Sequence, residues 1–110
     1  MPKGESSLGE FEQFVLLALL RLSAGASGMD VRREIEMHAG RETAIGAVYA
    51  TLDRLETKGF VTSKLGDPTP ERGGRAKRLF QLTAQGGEVL NRALESLRRM
   101  VEGIPGVQAP

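Results

Sequence analysis

The chain has 110 residues, with 15 basic and 14 acidic side chains and a formal net charge of +1. This length fits one small domain. Because 40% of the residues are hydrophobic, a core is possible but modest, and a second subunit would add stability. The absence of cysteine excludes disulfides and thiolate chemistry.

The composition also argues against cofactors, metals and membranes. His38 is the only histidine, and one histidine with scattered carboxylates makes a poor metal site. The longest apolar run, residues 14–20, is too short to span a bilayer. The N-terminus lacks the basic-then-apolar order of a signal peptide, so we expect a cytoplasmic protein without a cofactor.

Positive charge collects in the middle of the chain. Residues 54–80 hold seven basic side chains against three acidic ones, whereas residues 1–53 hold five against eight. Such a local patch is the electrostatic footprint of a nucleic-acid binder. The alternative is a solvated loop that happens to be basic.

A first helix is predicted at residues 8–22, after a flexible tail at residues 1–7. Ser7 and Glu10 have the spacing of a capping box. The helix is apolar nearly all round after its first turn, which indicates burial on most sides. Either the same chain or a second subunit covers these sides. The predicted residues of a subunit interface in this helix are Phe11, Phe14 and Leu17.

A second helix is predicted at residues 28–39. Ser27 and Asp30 form its start signal, and Gly40 stops it. Its inward side chains are expected to be Met29, Val31, Ile35 and Ala39.

The central helix is predicted within residues 43–59, capped by Thr43 and ended by Gly59. Its inward side carries Ile45, Val48, Leu52 and Leu55. Its other side suits close approach to a DNA major groove, and the predicted contacts are Thr43, Ala44, Ala47, Tyr49, Ala50 and Arg54. Taken alone, this stretch fits an ordinary helix packed on a core equally well. Two short helices joined by a tight turn, however, form a helix-turn-helix, whose second helix enters the groove.

A β-hairpin follows, with strands at residues 60–65 and 76–82 around a tip rich in glycine and proline. A basic hairpin beside a helix-turn-helix is a wing, whose cations can contact phosphates beside the groove. The predicted wing contacts are Lys64, Arg72, Arg75, Lys77 and Arg78.

The last helix is predicted at residues 84–103, capped by Thr83 and followed by a flexible tail at residues 104–110. Its apolar stripe has heptad spacing, the pattern of a helix pair. The stripe would pack on the first helix of its own chain, of a partner chain, or of both. The predicted interface residues in it are Leu90, Leu94, Leu97 and Val101.

The predicted fold is therefore mainly α with a small β-hairpin, a winged helix-turn-helix in the order α-α-α-β-β-α. Residues 8–83 form the DNA-binding domain, and residues 84–103 form a dimerisation helix that acts together with the first helix.

Three segments resemble the PadR-type winged-helix transcriptional regulators. GMDVRREIE (residues 28–36) is similar to the family's "yGyei" helix, with Met29 in place of an aromatic residue. AVYATLDRLETKGFV (residues 47–61) is similar to "tlYplLkrLekeGli", with Ala50 in place of proline. RAKRLFQLTAQGGEVL (residues 75–90) is similar to "r.rkyYrlTeeGre.l", with Leu79 and Phe80 in place of the aromatic pair.

The resemblance implies a homodimeric repressor that binds double-stranded DNA at an inverted-repeat operator, in the compact branch of the family with one C-terminal helix. Family members often answer to a small-molecule effector, although no aromatic ligand pocket is visible in a chain with four Phe, one Tyr and no Trp. The alternatives are a MarR-like regulator or a winged-helix protein-interaction module that does not bind DNA. An enzyme is disfavoured, because no nucleophile–base pair, paired carboxylates or metal site can be recognised.

Overall fold

The computed structural model describes residues 7–68 and 76–108. They form three helices, an antiparallel hairpin and a fourth helix: α1 (Glu10–Leu22), α2 (Gly28–Ala39), α3 (Ile45–Thr57), β1 (Val61–Pro68), β2 (Ala76–Leu82) and α4 (Ala84–Val101). This order confirms the predicted winged helix. The hairpin tip at residues 69–75, and the parts of the predicted tails at residues 1–6 and 109–110, lie outside the described residues.

Two helix starts form as their sequence signals predict. At α2, the Ser27 hydroxyl accepts a hydrogen bond from the Asp30 N–H (3.2 Å), and the Ser27 N–H donates to the Asp30 carboxylate (3.1 Å). At α4, the Thr83 hydroxyl accepts from the Gly86 N–H (3.0 Å). These side chains satisfy N–H groups that a helix leaves free in its first turn.

Two predicted caps are wrong. Helix α1 begins after Gly9, whose N–H donates to Glu12 (2.9 Å), so the Ser7–Glu10 capping box does not form. Helix α3 begins after Ala44 without a side-chain cap. Thr43 lies before it, with its N–H bound to the Glu36 carboxylate (3.1 Å) and its hydroxyl donating to the Arg41 carbonyl (3.2 Å).

The core lies where α1, α2, α3, β2 and the start of α4 meet. Its largest fully buried side chains are Phe80, Leu16, Leu52, Leu55, Leu90, Val15, Val31, Val48 and Val89. Strand β2 is joined to the α1–α2 connection as well as to β1, because Ala26 and Phe80 exchange backbone hydrogen bonds of 3.0 and 2.8 Å. This bridge holds the hairpin on the helical body.

Two glycines set the positions of neighbouring elements. A Cβ at Gly86 would lie 2.1 Å from the Phe60 carbonyl oxygen, so only glycine lets α4 begin this close to the chain between α3 and β1. Gly59 has a φ of +85°, and its N–H donates to the Glu56 carbonyl (3.0 Å), which confirms the predicted end of the central helix.

Two predicted inward residues of α2 are exposed. Met29 is 40% exposed and Ala39 is also on the surface, whereas Val31 and Ile35 are buried as predicted. None of the described helices has both the length and the hydropathy needed to cross a lipid bilayer.

Candidate nucleic-acid interface

Helix α3 buries one face and exposes a face of small residues. Val48, Leu52 and Leu55 are fully buried, and Ile45 packs against them. The opposite face exposes Ala44, Gly46, Ala47 and Ala50. Side chains this short let another surface approach the helix backbone closely.

Thr43 differs from its prediction, since it is 8% exposed and turned into the turn between α2 and α3. Its N–H and the Arg32 guanidinium lower the pKa of Glu36, which they both contact. Thr43 therefore closes the helix-turn-helix and does not belong to the exposed face of α3.

Tyr49 is half-buried at the edge of that face. Its ring lies 6.2 Å from the Phe80 ring, and a Cβ at Gly28 would be 2.5 Å from the Tyr49 ring. The ring therefore lies across the first residue of α2. Tyr49 also lines a cleft of about 300 Å³ between α2, α3 and β2.

This cleft brings three predicted contacts together, since Lys77 and Arg78 also line it. Asp30 lies in the same cleft. Burial would raise the pKa of Asp30, but the hydrogen bonds from Ser27 and the positive charges of Lys77 and Arg33 lower it. Lys77 thus lies close enough to Asp30 to stabilise its negative charge.

Arg54 lies at the edge of α3 with 55% of its side chain exposed. Its guanidinium donates to the Thr51 hydroxyl (3.2 Å), and its Nε lies 3.5 Å from Glu12 on α1. Glu12 is also bound by the Lys58 ammonium (3.0 Å). Burial would raise the pKa of Glu12, but the Gly9 N–H and these two cations hold it below its usual value.

The three described wing residues with predicted phosphate contacts differ in their surroundings, and Lys77 lies in the cleft that also contains Asp30. Lys64 on β1 is exposed. Arg78 on β2 instead contacts two carboxylates of α3, Asp53 at 3.0 Å and Glu56 at 2.6 Å. Arg72 and Arg75, the other predicted wing contacts, lie outside the described residues.

The predicted dimer residues divide into two groups. Leu90 is 1% exposed and lies in the core of its own chain, which corrects its prediction as an interface residue. Leu94, Phe11, Phe14 and Leu17 are partly buried against that core. Beyond Leu94, α4 leaves the core, so the rest of its stripe is exposed or half-exposed: Leu97 (47%), Met100 (76%), Val101 and Ile104 (50%).

Phe14 and Leu17 also line a mainly apolar groove of about 360 Å³ between α1 and α2. His38 lies at its polar rim with Arg21 and Glu34, and its Nε2 is 2.9 Å from the Arg21 guanidinium. No group of three potential metal ligands occurs in the part of the chain that the structure describes.

Sequence reasoning missed two residues of this surface. Gly46 is exposed on the same face as Ala47 and Ala50. The helical pattern could have indicated this, because residue 46 is not one of the inward positions 45, 48, 52 and 55. Gly28 makes room for the Tyr49 ring. No sequence signal shows that contact, because it depends on how α2 and α3 cross.

Solved structures of similar fold cover most of this chain. A PadR family transcription regulator from hypervirulent Clostridium difficile R20291 has a TM-score of 0.69 at 17% identity, covering 84% of this chain and 91% of that one. F93 from STIV, a winged-helix DNA-binding protein, has a TM-score of 0.69 at 15% identity, covering 88% and 97%. RosR from H. salinarum has a TM-score of 0.69 at 26% identity, covering 89% and 81%.

A comparison with curated protein sequences finds no match. The family model of the transcriptional regulator PadR-like family, in contrast, matches residues 16–92, from α1 into α4. This match decides between the regulator families that the sequence left open and sets enzymes aside. The chain belongs to the PadR-like family of transcriptional regulators.

Proposed function

We propose that the protein is a cytoplasmic, sequence-specific DNA-binding repressor that acts as a homodimer on an inverted-repeat operator. The observation that carries this proposal is the exposed small-residue face of α3, with Ala44, Ala47 and Ala50 beside the wing. A major groove admits a helix, and short side chains allow the base edges to come within reach.

The charges around this face support DNA as the partner. Lys64 on the wing and Arg54 at the edge of α3 are both exposed, and Lys77 lies in the cleft beside Tyr49. We propose that Lys64, Lys77 and the Tyr49 hydroxyl contact phosphates and place α3 in the groove, while Arg54 adds positive charge at the edge of the interface. Phosphate contacts of this kind fix register, whereas contacts from α3 read the sequence.

Selection of bound duplexes from a random pool tests the proposal directly. We expect enrichment of an inverted repeat whose half-sites lie about one DNA turn apart. Ala47→Glu should abolish enrichment, because it adds a negative charge to the exposed face of α3. Asn91→Glu makes the same kind of change on the exposed surface of α4 and should leave enrichment intact.

A pool without any enriched sequence would contradict the proposal and favour the protein-interaction module instead. Enrichment that survives Ala47→Glu would place DNA on another surface of the protein.

The salt dependence of binding tests the wing. Each phosphate neutralised contributes about −0.9 to the slope of log K against log salt. Lys64→Gln should therefore weaken binding to all sequences alike and flatten the slope by about two units, since each subunit of the dimer loses one phosphate contact. Arg92→Gln, a matched change on the exposed part of α4, should leave the slope unchanged. Equal slopes for the wild type and Lys64→Gln would remove Lys64 from the interface.

We propose that the exposed end of α4 joins two subunits. Leu97 and Met100 are exposed on the part of α4 that has left its own core, and the half-exposed Ile104 follows just beyond the end of the helix. In an isolated subunit these side chains would face water, at a cost of about 25 cal/mol for each Å² of apolar surface.

Sedimentation at low micromolar concentration tests the dimer. Leu97→Lys combined with Met100→Lys should give a folded monomer with weakened operator binding, because neither side chain belongs to the core. Leu65→Lys, at an exposed position on the wing, is the control for association and should remain dimeric. A wild-type chain that sediments as a monomer, yet binds its inverted repeat tightly as one copy, would overturn the dimer.

A further inference from the structure

Arg78 lies at the centre of a cluster that joins the wing to the central helix. We use the term Arg78 cluster for Arg78, Asp53, Glu56, Ser63 and Phe80. The guanidinium forms ion pairs with both carboxylates of α3: Nη1 lies 3.0 Å from Asp53, and Nη2 donates a hydrogen bond of 2.6 Å to Glu56.

The cluster includes residues from both strands of the hairpin. On β1, the Ser63 hydroxyl accepts from the Arg78 Nε (3.3 Å) and donates to the second oxygen of Glu56 (2.7 Å). On β2, the guanidinium carbon of Arg78 lies 4.7 Å from the centre of the Phe80 ring. All three nitrogens of the guanidinium therefore have partners within the protein.

This geometry is poorly suited to a phosphate contact. A phosphate could bind the Arg78 fork only if the guanidinium left two carboxylates and the Phe80 ring together. Both carboxylates would then remain unpaired beside the DNA, where like charges repel. Lys64, on the neighbouring strand, is exposed and forms no ion pair with another described residue.

We propose that Arg78 is a positioning residue, which fixes the angle between the wing and α3 and does not itself contact the DNA. The wing can place Lys64 on a phosphate only if the hairpin holds a defined direction relative to the helix in the groove. Among the described residues, the Arg78 cluster supplies the ion pairs between α3 and β2 and the hydrogen bond from Ser63 of β1 to Glu56. This role rests on the proposed DNA binding, but the rigidity of the wing is a property of the free protein.

The first test measures the distance between the wing and α3 in the protein without DNA. The chain has no cysteine, so Ala50→Cys and Leu65→Cys place one spin label on the exposed face of α3 and one on the exposed part of β1. With labelled chains diluted in excess unlabelled protein, so that a dimer carries one labelled subunit, we expect a single narrow distance distribution, and a broader one when Arg78→Lys is added. Lysine keeps the charge but lacks the planar fork that binds two carboxylates and stacks on a ring.

Ser63→Ala is a second variant for this measurement, since it removes the hydroxyl between Arg78 and Glu56 without changing any charge. It should also broaden the distribution. Distributions that stay narrow in both variants would overturn the positioning role, whether or not the protein binds DNA.

The second test measures binding to the selected operator over a salt series. A positioning role predicts that Arg78→Lys weakens binding by about three- to tenfold, as expected for the loss of one hydrogen bond of ordinary strength. The slope of log K against log salt should keep its wild-type value. A phosphate contact predicts the opposite, because lysine also binds phosphate, so Arg78→Lys would bind almost as well as the wild type.

Glu56→Gln separates the two roles by the sign of its effect. If Glu56 merely holds a phosphate-binding arginine in the free protein, its loss should release Arg78 and strengthen binding. If Arg78 positions the wing, Glu56→Gln should weaken binding more than Glu42→Gln, an exposed control that removes the same charge before α3. Near-wild-type affinity of Arg78→Lys, or tighter binding by Glu56→Gln than by its control, would make Arg78 a phosphate contact.

Discussion

Glu12 offers a quantitative test of how α1 and α3 are joined. Its side chain is 9% exposed, and it accepts the Gly9 N–H at 2.9 Å and the Lys58 ammonium at 3.0 Å, with Arg54 at 3.5 Å. Glu12→Gln keeps the shape of the side chain and an oxygen for the Gly9 N–H. It removes the charge and turns an amide toward two cations.

The loss of this charge-assisted contact should lower the free energy of unfolding by about 1.5–3 kcal/mol. For a domain of this size, each kcal/mol lowers Tm by roughly 4–8 °C. Glu10→Gln is the matched control in the same helix. Glu10 also contacts an arginine (Arg41, 2.7 Å), but its side chain is 71% exposed, so its change should cost at most about 1 kcal/mol. Urea denaturation of the three proteins measures both values.

The pH dependence gives an independent check. The pKa of Glu12 is lower in the folded protein than in the unfolded chain, where it is about 4.3. The stability that Glu12 contributes is therefore fully present above the unfolded pKa and is lost as pH falls through the folded pKa. The difference between the wild type and Glu12→Gln should shrink in acid. Equal costs for the two substitutions at pH 7, or a difference that does not change with pH, would refute the role assigned to Glu12.

The face around Tyr49 gives further predictions. Tyr49→Phe should weaken operator binding by about 1 kcal/mol, because it loses one hydrogen bond, while the urea midpoint stays close to wild type since the ring contacts remain. Lower stability with normal binding would mean that the hydroxyl acts in folding. Gly28→Ala should lower the free energy of unfolding by about 1–3 kcal/mol, because its Cβ would lie 2.5 Å from the Tyr49 ring. Gly46→Ala is its control, with no atom within 4 Å of the new Cβ, and should stabilise by up to about 1 kcal/mol; an equal gain at both positions would show that the ring moves away freely.

Local signals in the sequence predicted most of the fold. The bounds of α2 and β2 match their predictions, because Ser27 and Gly40 act on their own backbone neighbours and because the alternation of β2 is local. The start of α4 at Thr83 is correct for the same reason. Each of these features depends on residues within a few positions along the chain.

The errors arise where distant elements compete for a side chain or a backbone group. At the start of α1, the carboxylate that accepts a backbone N–H belongs to Glu12 and not to Glu10 as predicted. Lys58, 46 residues away, also binds the Glu12 carboxylate and holds it there. The Thr43 N–H binds Glu36 of the preceding helix, so Thr43 is drawn into the turn and α3 begins later than predicted.

The site residues were likewise predicted less well where their contacts involve distant parts of the chain. Their types and order identified α3 and the wing, but the partners of each charge depend on how the elements cross. Leu90 belongs to the predicted heptad stripe, yet it packs within its own chain because α4 starts directly against the core. Arg78 was predicted as a phosphate contact from its charge and strand, and its two carboxylate partners become visible only in the structure.

The internal partners of these cations also change the expected strength of the salt dependence. The seven basic side chains of residues 54–80 would give a dimer a slope of about −13 if each neutralised one phosphate. In the structure, Arg54 and Lys58 lie beside Glu12, and Arg78 lies between Asp53 and Glu56.

If these three cations keep their carboxylate partners in the complex, four basic side chains per subunit remain, and the slope should be about −7. Binding titrations of the selected operator between low and moderate salt measure this slope. A value near −13 would mean that the internal ion pairs open on DNA, which would also contradict the positioning role of Arg78. A value near −7 would show that much of the basic charge in this stretch holds α1, α3 and the wing together.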